Sequence, residues 1–154
     1  MCYGDDPNDM TRQEFSEKLR QTRICVGKTT SEMMFSLRVL DSQVRRIEKA
    51  QHNFALTKAI SYLNVLDHHI EVSNDYSFTV VNNQVDIVDW FDHVKFVTGN
   101  LSANALAPKI GIAQQTISKI LSGKGTVTID VFLTICNHYN AIVEFAKNER
   151  TKRP

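Results

Sequence analysis

Long apolar runs are missing from this sequence of 154 residues. No uninterrupted run exceeds three residues, whereas a membrane-spanning helix needs about 20. Acidic residues, Asp5, Asp6 and Asp9, stand where a secretory leader would carry basic charge. We therefore expect a soluble, unexported protein of the cytoplasm that makes no contact with a membrane.

Groups that would mark an enzyme or a metal centre are also scarce. The sequence contains neither a phosphate-binding glycine loop nor a nucleophile elbow. The adjacent His68 and His69 would point to opposite sides of a strand, and they lack a spaced carboxylate or cysteine partner. The three cysteines form no CxxC pair, which argues against a disulfide framework or a zinc site; they are Cys2, Cys25 and Cys136. We expect no catalysis, no metal and no cofactor.

An internal repeat organises what is present. At an offset of 73, and without a gap, hydrophobic or capping residues recur in order. The first copy contains Thr29, Met33, Met34, Leu37, Val39, Val44, Ile47, Leu56, Ile60 and Leu63. Their counterparts are Ser102, Leu106, Ala107, Ile110, Ile112, Ile117, Ile120, Ile129, Leu133 and Cys136.

The spacing within each copy predicts short helices. Thr11 and Thr29 are each followed three residues later by Glu, the capping-box pattern of a helix start. The fourth helix of each copy has the i, i+3, i+4, i+7 apolar pattern. In the second copy the first helix presents Ile87, Phe91 and Val94 on one face, at an offset of 72 from the first copy. Trp90 and Phe91 are predicted to anchor its core.

Between the copies the periodicity changes to that of strands. Ile70 and Val72 alternate with polar residues, turn formers follow, and Tyr76, Phe78 and Val80 alternate again. This pattern predicts a β-hairpin over residues 69–81. Because a lone hairpin is marginally stable in water, we expect it to pack on a helical unit or to pair with another chain as a homodimer. The polar ends, residues 1–9 and 148–154, are predicted to fray.

A tight turn separates two short helices in each copy. Residues 111–113 form it in the second copy, where Gly111 suits a left-handed backbone. Residues 38–40 form it in the first copy, where Arg38 takes the same place at a modest steric cost. Two short helices joined in this way are typical of a helix-turn-helix.

The segment LSANALAPKIGIAQQTISKILSG at residues 101–123 resembles the lambda-repressor-like helix-turn-helix family. The segment KTTSEMMFSLRVLDSQVRRIEK at residues 28–49 is similar but departs from it at Arg38 and at Leu40, where Asp41 is expected to cap instead. The resemblance implies a mainly α protein with two tandem helical units, residues 10–70 and 85–147, joined by a hairpin linker over residues 71–84.

The resemblance also implies which residues face double-stranded DNA, because the third helix of each unit enters the major groove. Gln can pair with adenine, Arg and Lys with guanine, and Thr with thymine or phosphate. Ser102 caps the second helix of the second unit, and Lys28 and Lys124 are expected at phosphates. The predicted contacts are Asp41, Ser42, Gln43, Arg45, Arg46, Ser102, Gln114, Gln115, Thr116, Lys119 and Lys124.

Plainer interpretations of these residues stay open. A polar helix face is most often a solvated surface, and Arg46 could instead pair with Glu48 or Glu32. The net charge is only +1, but residues 101–124 hold lysines and no acid. The pattern favours a transcriptional repressor, with the second unit dominating specificity. The alternatives are an antitoxin that represses its own operon, and a protein-interaction adaptor with a degenerate first helix-turn-helix.

Overall fold

Eight helices and three strands fill residues 9–149, the part of the chain that the computed structural model describes. The first half contains α1 (Arg12–Val26), α2 (Thr30–Leu37), α3 (Asp41–Lys49), α4 (Leu56–Val65) and β1 (His68–Asn74). The second contains β2 (Ser77–Val81), α5 (Gln84–Val97), α6 (Ala103–Ile110), α7 (Gln114–Leu121), α8 (Ile129–His138) and β3 (Ile142–Lys147). Expectations for Cys2, Asp5, Asp6 and the outermost tails lie outside the described residues.

Local sequence signals set the helix boundaries. Thr11 and Thr29 form the two predicted capping boxes, each with the glutamate three residues on. Arg38 ends α2 in the left-handed conformation, with φ of 58°, as its place in the turn predicted. Asp41 does not cap α3. It is already the first helical residue, and the side-chain Oε1 of Gln43 accepts the Leu40 N–H at 3.1 Å instead.

The offset of 73 found in the sequence also relates the element boundaries. Helices α2 and α6 begin and end at this offset from each other, and so do α4 and α8, while α3 and α7 share it at their first residues. The first residues of α1 and α5 are related by the shorter offset of 72, as the sequence of the first helix predicted. The domain boundaries at residues 10–70, 71–84 and 85–147 stay a prediction.

The three strands form one antiparallel sheet in the order β2-β1-β3. The predicted hairpin of β1 and β2 is present, but the sequence analysis missed β3, which pairs along β1 from His68↔Lys147 to Ser73↔Ile142. Both edges of β1 are therefore paired within the chain. A homodimer through the hairpin finds no support in this arrangement.

The predicted apolar face of β2 is wrong in part. Phe78 is 62% exposed and Val80 is only half-buried, whereas Val81 is 1% exposed and lies opposite Ile70. The expectation of a frayed carboxyl end is also wrong at Asn148. Its backbone N–H donates to the Asp67 carbonyl at 2.8 Å, and its side chain bonds His69 and Asp67.

Corresponding residues of the two halves meet each other. The N–H of Leu56 donates to the carbonyl of Val127 at 2.8 Å, and the N–H of Ile129 donates to the carbonyl of Phe54 at 2.8 Å. The two donors are related by the offset of 73, and so are the two acceptors, which makes the two bonds equivalent. They flank an antiparallel bridge between Ala55 and Thr128, a pair related by the same offset.

The core is shared between the halves. Phe15 of α1 makes edge-to-face ring contacts with Phe132 of α8 at 6.3 Å and with Phe145 of β3 at 5.1 Å. Trp90 and Phe91 are buried, as predicted, and one cluster of buried apolar side chains contains residues of both halves. Each half therefore completes the hydrophobic core of the other.

Candidate nucleic-acid interface

Helix α7 is held by its apolar face and shows its polar face to solvent. Gly111 ends α6 with φ of 87°, and the chain turns through Ile112 and Ala113 into α7. Ile117 and Ile120, one turn apart on the inner side, are 0% and 2% exposed. Burial of these two side chains fixes the rotation of α7 about its own axis and directs the opposite face outward.

The outward face of α7 contains the predicted reading residues. Gln114, Gln115 and Lys119 are exposed, and Thr116 is half-buried. No acidic side chain lies in the first turn of α7. The arrangement places two amide groups at the amino-terminal end of α7, where unpaired N–H groups also favour an anion, and the ammonium group of Lys119 in the last turn. It can therefore bind phosphate and present hydrogen-bonding groups to base edges.

Two further predicted residues flank this face. Ser102 caps α6, because its hydroxyl oxygen accepts the Ala105 N–H at 3.2 Å, so a phosphate contact would use the hydroxyl proton. Lys124 is exposed in the segment after α7, where its backbone N–H donates to the Lys119 carbonyl at 2.9 Å. The backbone bond holds the position of Lys124 while its side chain extends into solvent.

Helix α3 has the same amphipathic form but a different polar face. Val44 and Ile47 are 0% and 6% exposed and anchor it. Arg45 Nε lies 2.8 Å from a carboxylate oxygen of Asp41, so two predicted reading residues form an ion pair with each other. Gln43 is exposed, but its Oε1 is used at the helix start. Ser42 and Arg46 are exposed on this helix.

Arg46 does not form either of the ion pairs considered for it. Glu48 is bound by Arg23, and Glu32 caps α2, where the Thr29 N–H bond lowers the pKa of its carboxyl group. Arg46 instead borders a cavity of about 320 Å³ between α3 and α4, together with the basic side chains of His52 and Lys58. Arg46, which is predicted to contact DNA, therefore lies beside two other basic side chains.

The comparison with protein families gives a match in the half of the chain that contains α7. Residues 98–142 match a family model described as helix-turn-helix. The match extends over α6, α7 and α8, and it ends at the first residue of β3. It indicates a DNA-binding transcription regulator. Neither the comparison with curated proteins nor that with solved structures gave a match.

The helix-turn-helix match contains α7 and leaves α3 outside the matched residues. In the described part of the chain, no helix has the length and apolar character of a membrane span.

The histidines of β1 bond to groups within the protein: His69 bonds Glu71 and Asn148, and His68 bonds the Leu66 carbonyl. Within residues 9–149 no group of three potential metal-ligating side chains is present.

A buried polar network that the sequence analysis missed holds the carboxyl end of α3. Arg23 of α1 binds Glu48 through two nitrogens, at 2.7 and 3.0 Å, and the Tyr62 hydroxyl donates to Glu48 at 2.6 Å. Burial, followed by the bond to Glu48, raises the pKa of Tyr62, and the bond to Glu48 raises the pKa of Arg23. Both shifts favour the donor forms, a neutral hydroxyl on Tyr62 and a charged guanidinium on Arg23.

The corresponding positions of the second half are Lys95, Leu121 and Ile135. Of these, Leu121 is half-buried at the end of α7 and Ile135 is 1% exposed. A comparison between the copies would have shown apolar residues in place of Glu48 and Tyr62, while the third position keeps a basic residue. It would not have shown that the three polar groups meet, since Arg23 and Glu48 are 25 residues apart.

Proposed function

We propose that the protein is a sequence-specific DNA-binding repressor that contains two helix-turn-helix units, formed by α1–α4 and by α5–α8. The observation that carries this proposal is the exposed face of α7. Gln114, Gln115 and Lys119 project from a helix whose inner face is anchored by Ile117 and Ile120. Such a helix can enter the major groove with its first residues at base edges.

The second unit dominates specificity in this proposal. On α3 the Asp41 carboxylate repels phosphate, and it is bound to Arg45 at 2.8 Å. The ion pair engages the Nε of Arg45, so a base edge would be bound by its terminal nitrogens beside a carboxylate. On α7 the amide groups of Gln114 and Gln115 have no acidic neighbour in the first turn. The first unit contributes affinity through Arg46 more than it contributes base selection.

Repression is the form of regulation that requires the fewest protein domains. The elements from α1 to β3 occupy residues 12–147 and belong to the two units or to the sheet between them. Within the described residues there is no additional domain for contact with RNA polymerase. A protein of this kind acts by occupying its site on DNA and excluding other proteins.

Selection from a random pool of double-stranded DNA, followed by sequencing of the retained fraction, tests the proposal. We expect an enriched motif. Gln115→Ala should weaken binding to that motif by about 1 to 3 kcal/mol and relax selection at one base pair, because a bidentate contact discriminates by that amount. Lys124→Ala should weaken binding to all sequences alike, since a phosphate contact carries no base information.

Gln13→Ala is the matched control. Gln13 is an exposed glutamine on α1, outside residues 41–49 and 101–124, so its removal should leave the motif and the affinity unchanged. Retention of every sequence to the same extent, or no retention at all, would contradict the proposal. That result would favour the adaptor, for which the net charge of +1 and the Asp41–Arg45 ion pair are the supporting observations.

A further inference from the structure

The two halves of the chain are related by a rotation and not by a translation. In the β1–β3 ladder, Glu71 lies opposite Glu144, and the offset of 73 makes these two residues equivalent in the repeat. The pairs on either side interchange under the same equivalence. For example, Ile70↔Phe145 corresponds to Val72↔Val143. An antiparallel ladder centred on equivalent residues has a local twofold axis at that centre.

A second contact far from the sheet agrees with the same axis. Ala55 bridges its own equivalent, Thr128, and the two flanking hydrogen bonds are both 2.8 Å long. Each half donates one of these bonds and accepts the other. A translational arrangement of tandem units would place non-equivalent residues at such contacts. At two separate places, then, a residue contacts its own counterpart in the other half, and together these contacts define an approximate internal twofold axis.

We infer that the DNA site of this protein is an imperfect inverted repeat occupied by a single copy of the chain; this inference rests on the proposed function. A twofold rotation presents α3 and α7 to DNA with opposite polarity, so the two helices read opposite strands. Duplex DNA has dyads perpendicular to its own axis, and a twofold protein matches them with inverted half-sites. Units related by translation would require a direct repeat.

The half-sites must differ in sequence, because equivalent reading positions carry different groups. Gln114 corresponds to Asp41, Gln115 to Ser42 and Thr116 to Gln43. Only the pair Lys119 and Arg46 keeps its positive charge. The Gln pair of α7 suits adenine, whereas α3 has Asp41 and Ser42 at the same two positions, and the Oε1 of Gln43 is engaged by the Leu40 N–H. The inverted repeat is therefore imperfect, and the protein binds it in one orientation.

A single chain is sufficient because the contact between the halves is already made. The sheet and the two bonds across the Ala55–Thr128 bridge join the units within one molecule. The second unit then binds at a high effective concentration, independent of the protein concentration. Binding should therefore follow a simple isotherm without the concentration-dependent assembly of a dimer.

The experiment uses the full chain and duplexes built from the motif selected above. Fluorescence anisotropy compares the inverted site, the same half-sites as a direct repeat, the strong half-site alone, and the inverted site with about 5 additional central base pairs, half a turn. Native mass spectrometry gives the stoichiometry. We expect one chain per inverted duplex and affinity at least about tenfold above each of the other three duplexes.

A variant with α7 reading residues grafted onto α3, D41Q/S42Q/Q43T/R46K, tests the dyad directly. It should bind a perfect inverted repeat of the strong half-site more tightly than the natural imperfect site. Circular dichroism checks that the variant is folded. If it does not fold, R46A replaces it, and its footprint should weaken over the weak half-site alone, while that of Q115A weakens over the strong one.

The outcomes separate the two proposals. Tighter binding to a direct repeat, two chains per duplex, or full affinity for one half-site would overturn the inference while leaving sequence-specific DNA binding intact. A lack of any enriched motif would overturn the proposed function itself. Preference of the grafted variant for a direct repeat of the strong half-site would likewise contradict the dyad.

Discussion

Two buried tyrosines, Tyr62 and Tyr139, differ in the hydrogen bonding of their hydroxyl groups. The Tyr62 hydroxyl donates to the buried Glu48 carboxylate at 2.6 Å. The Tyr139 hydroxyl is buried without a well-formed hydrogen bond among the described residues, and the Thr98 side chain lowers its pKa less than burial raises it. A buried polar group lowers stability unless it is bonded, so the two hydroxyls should have effects of opposite sign.

Removal of each hydroxyl tests this difference. Tyr62→Phe should lower the free energy of unfolding by about 1.5 to 3 kcal/mol, the range for a hydrogen bond to a charged group. Tyr139→Phe should leave it unchanged or raise it. Urea denaturation followed by circular dichroism gives both values, and each variant is the control for the other. Equal losses in the two variants would count against the assignment.

The protonation of His69 makes the stability of the sheet depend on pH. It bonds Glu71 at 2.8 Å and Asn148 at 2.6 Å, on the strand where Glu71 lies opposite Glu144. Burial acts to lower the pKa of His69, but the bonds to Asn148 and Glu71 outweigh it and raise the pKa above the ordinary 6.5. The protonated ring also reduces the repulsion between the two carboxylates.

A raised pKa in the folded state means that the folded protein holds the proton more tightly than the unfolded chain. The stabilisation by His69 should be complete below the unfolded pKa of 6.5 and be lost as the pH rises through the folded pKa. The loss caused by His69→Gln should therefore be larger at about pH 5.5 than at about pH 8. Urea midpoints at both pH values measure it, and a pH-independent loss would refute the prediction.

Among the strands, β2 shows how tertiary contacts choose between two candidate faces. Both Phe78 and Val81 are apolar, yet Phe78 is 62% exposed and Val81 is 1% exposed. The indole N–H of Trp90 on α5 donates to Ser77 at 2.9 Å and holds the start of the strand. The alternation of apolar and polar residues within β2 does not by itself indicate on which face of the strand α5 lies.

Matched truncations on β2 should reflect these positions. Val81→Ala should lower the free energy of unfolding by about 1.5 to 3 kcal/mol, because it removes buried apolar surface. Phe78→Ala should change it by less than about 0.5 kcal/mol, as is usual at exposed sites. Thermal denaturation of the two variants provides the comparison. A larger effect at Phe78 would show that β2 has its other face buried.

Strand β3 could have been predicted from the repeat itself. The segment over residues 141–147 is the counterpart of residues 68–74 at the offset of 73. Val143 and Phe145 alternate around Glu144 as Ile70 and Val72 alternate around Glu71. The equivalence of the two copies therefore continues beyond their fourth helices and relates β1 to β3. Their pairing with each other required the tertiary structure.

The molecule as a whole should unfold as one cooperative unit. The core contains Phe15 packed on Phe132 and Phe145, and the Leu56–Val127 bond joins the halves. Scanning calorimetry should give one transition, with equal calorimetric and van't Hoff enthalpies. The separate segments 1–84 and 85–154 should fail to fold, since this cut separates β1 from β3. Two resolved transitions would show that the halves are independent.

The sequence alone determined the helices and the polar faces of α3 and α7 on which the reading residues are predicted. Caps at Thr11 and Thr29, the turn glycine Gly111 and the 3.6-residue apolar period are local signals, and the physical causes act within a few residues of chain. The repeat at an offset of 73 is also a property of the sequence. From these features came α1 to α8, the hairpin and the helix-turn-helix resemblance of residues 101–123.

Only the tertiary structure decided how the halves meet. The β1–β3 ladder joins residues such as Glu71 and Glu144, and the network on α3 joins Arg23 to Glu48. A repeat is compatible with translation or with rotation, because the periodic pattern of each copy is the same in both. Contacts between distant residues depend on the packing of whole faces, and that packing placed equivalent residues opposite each other across a twofold axis.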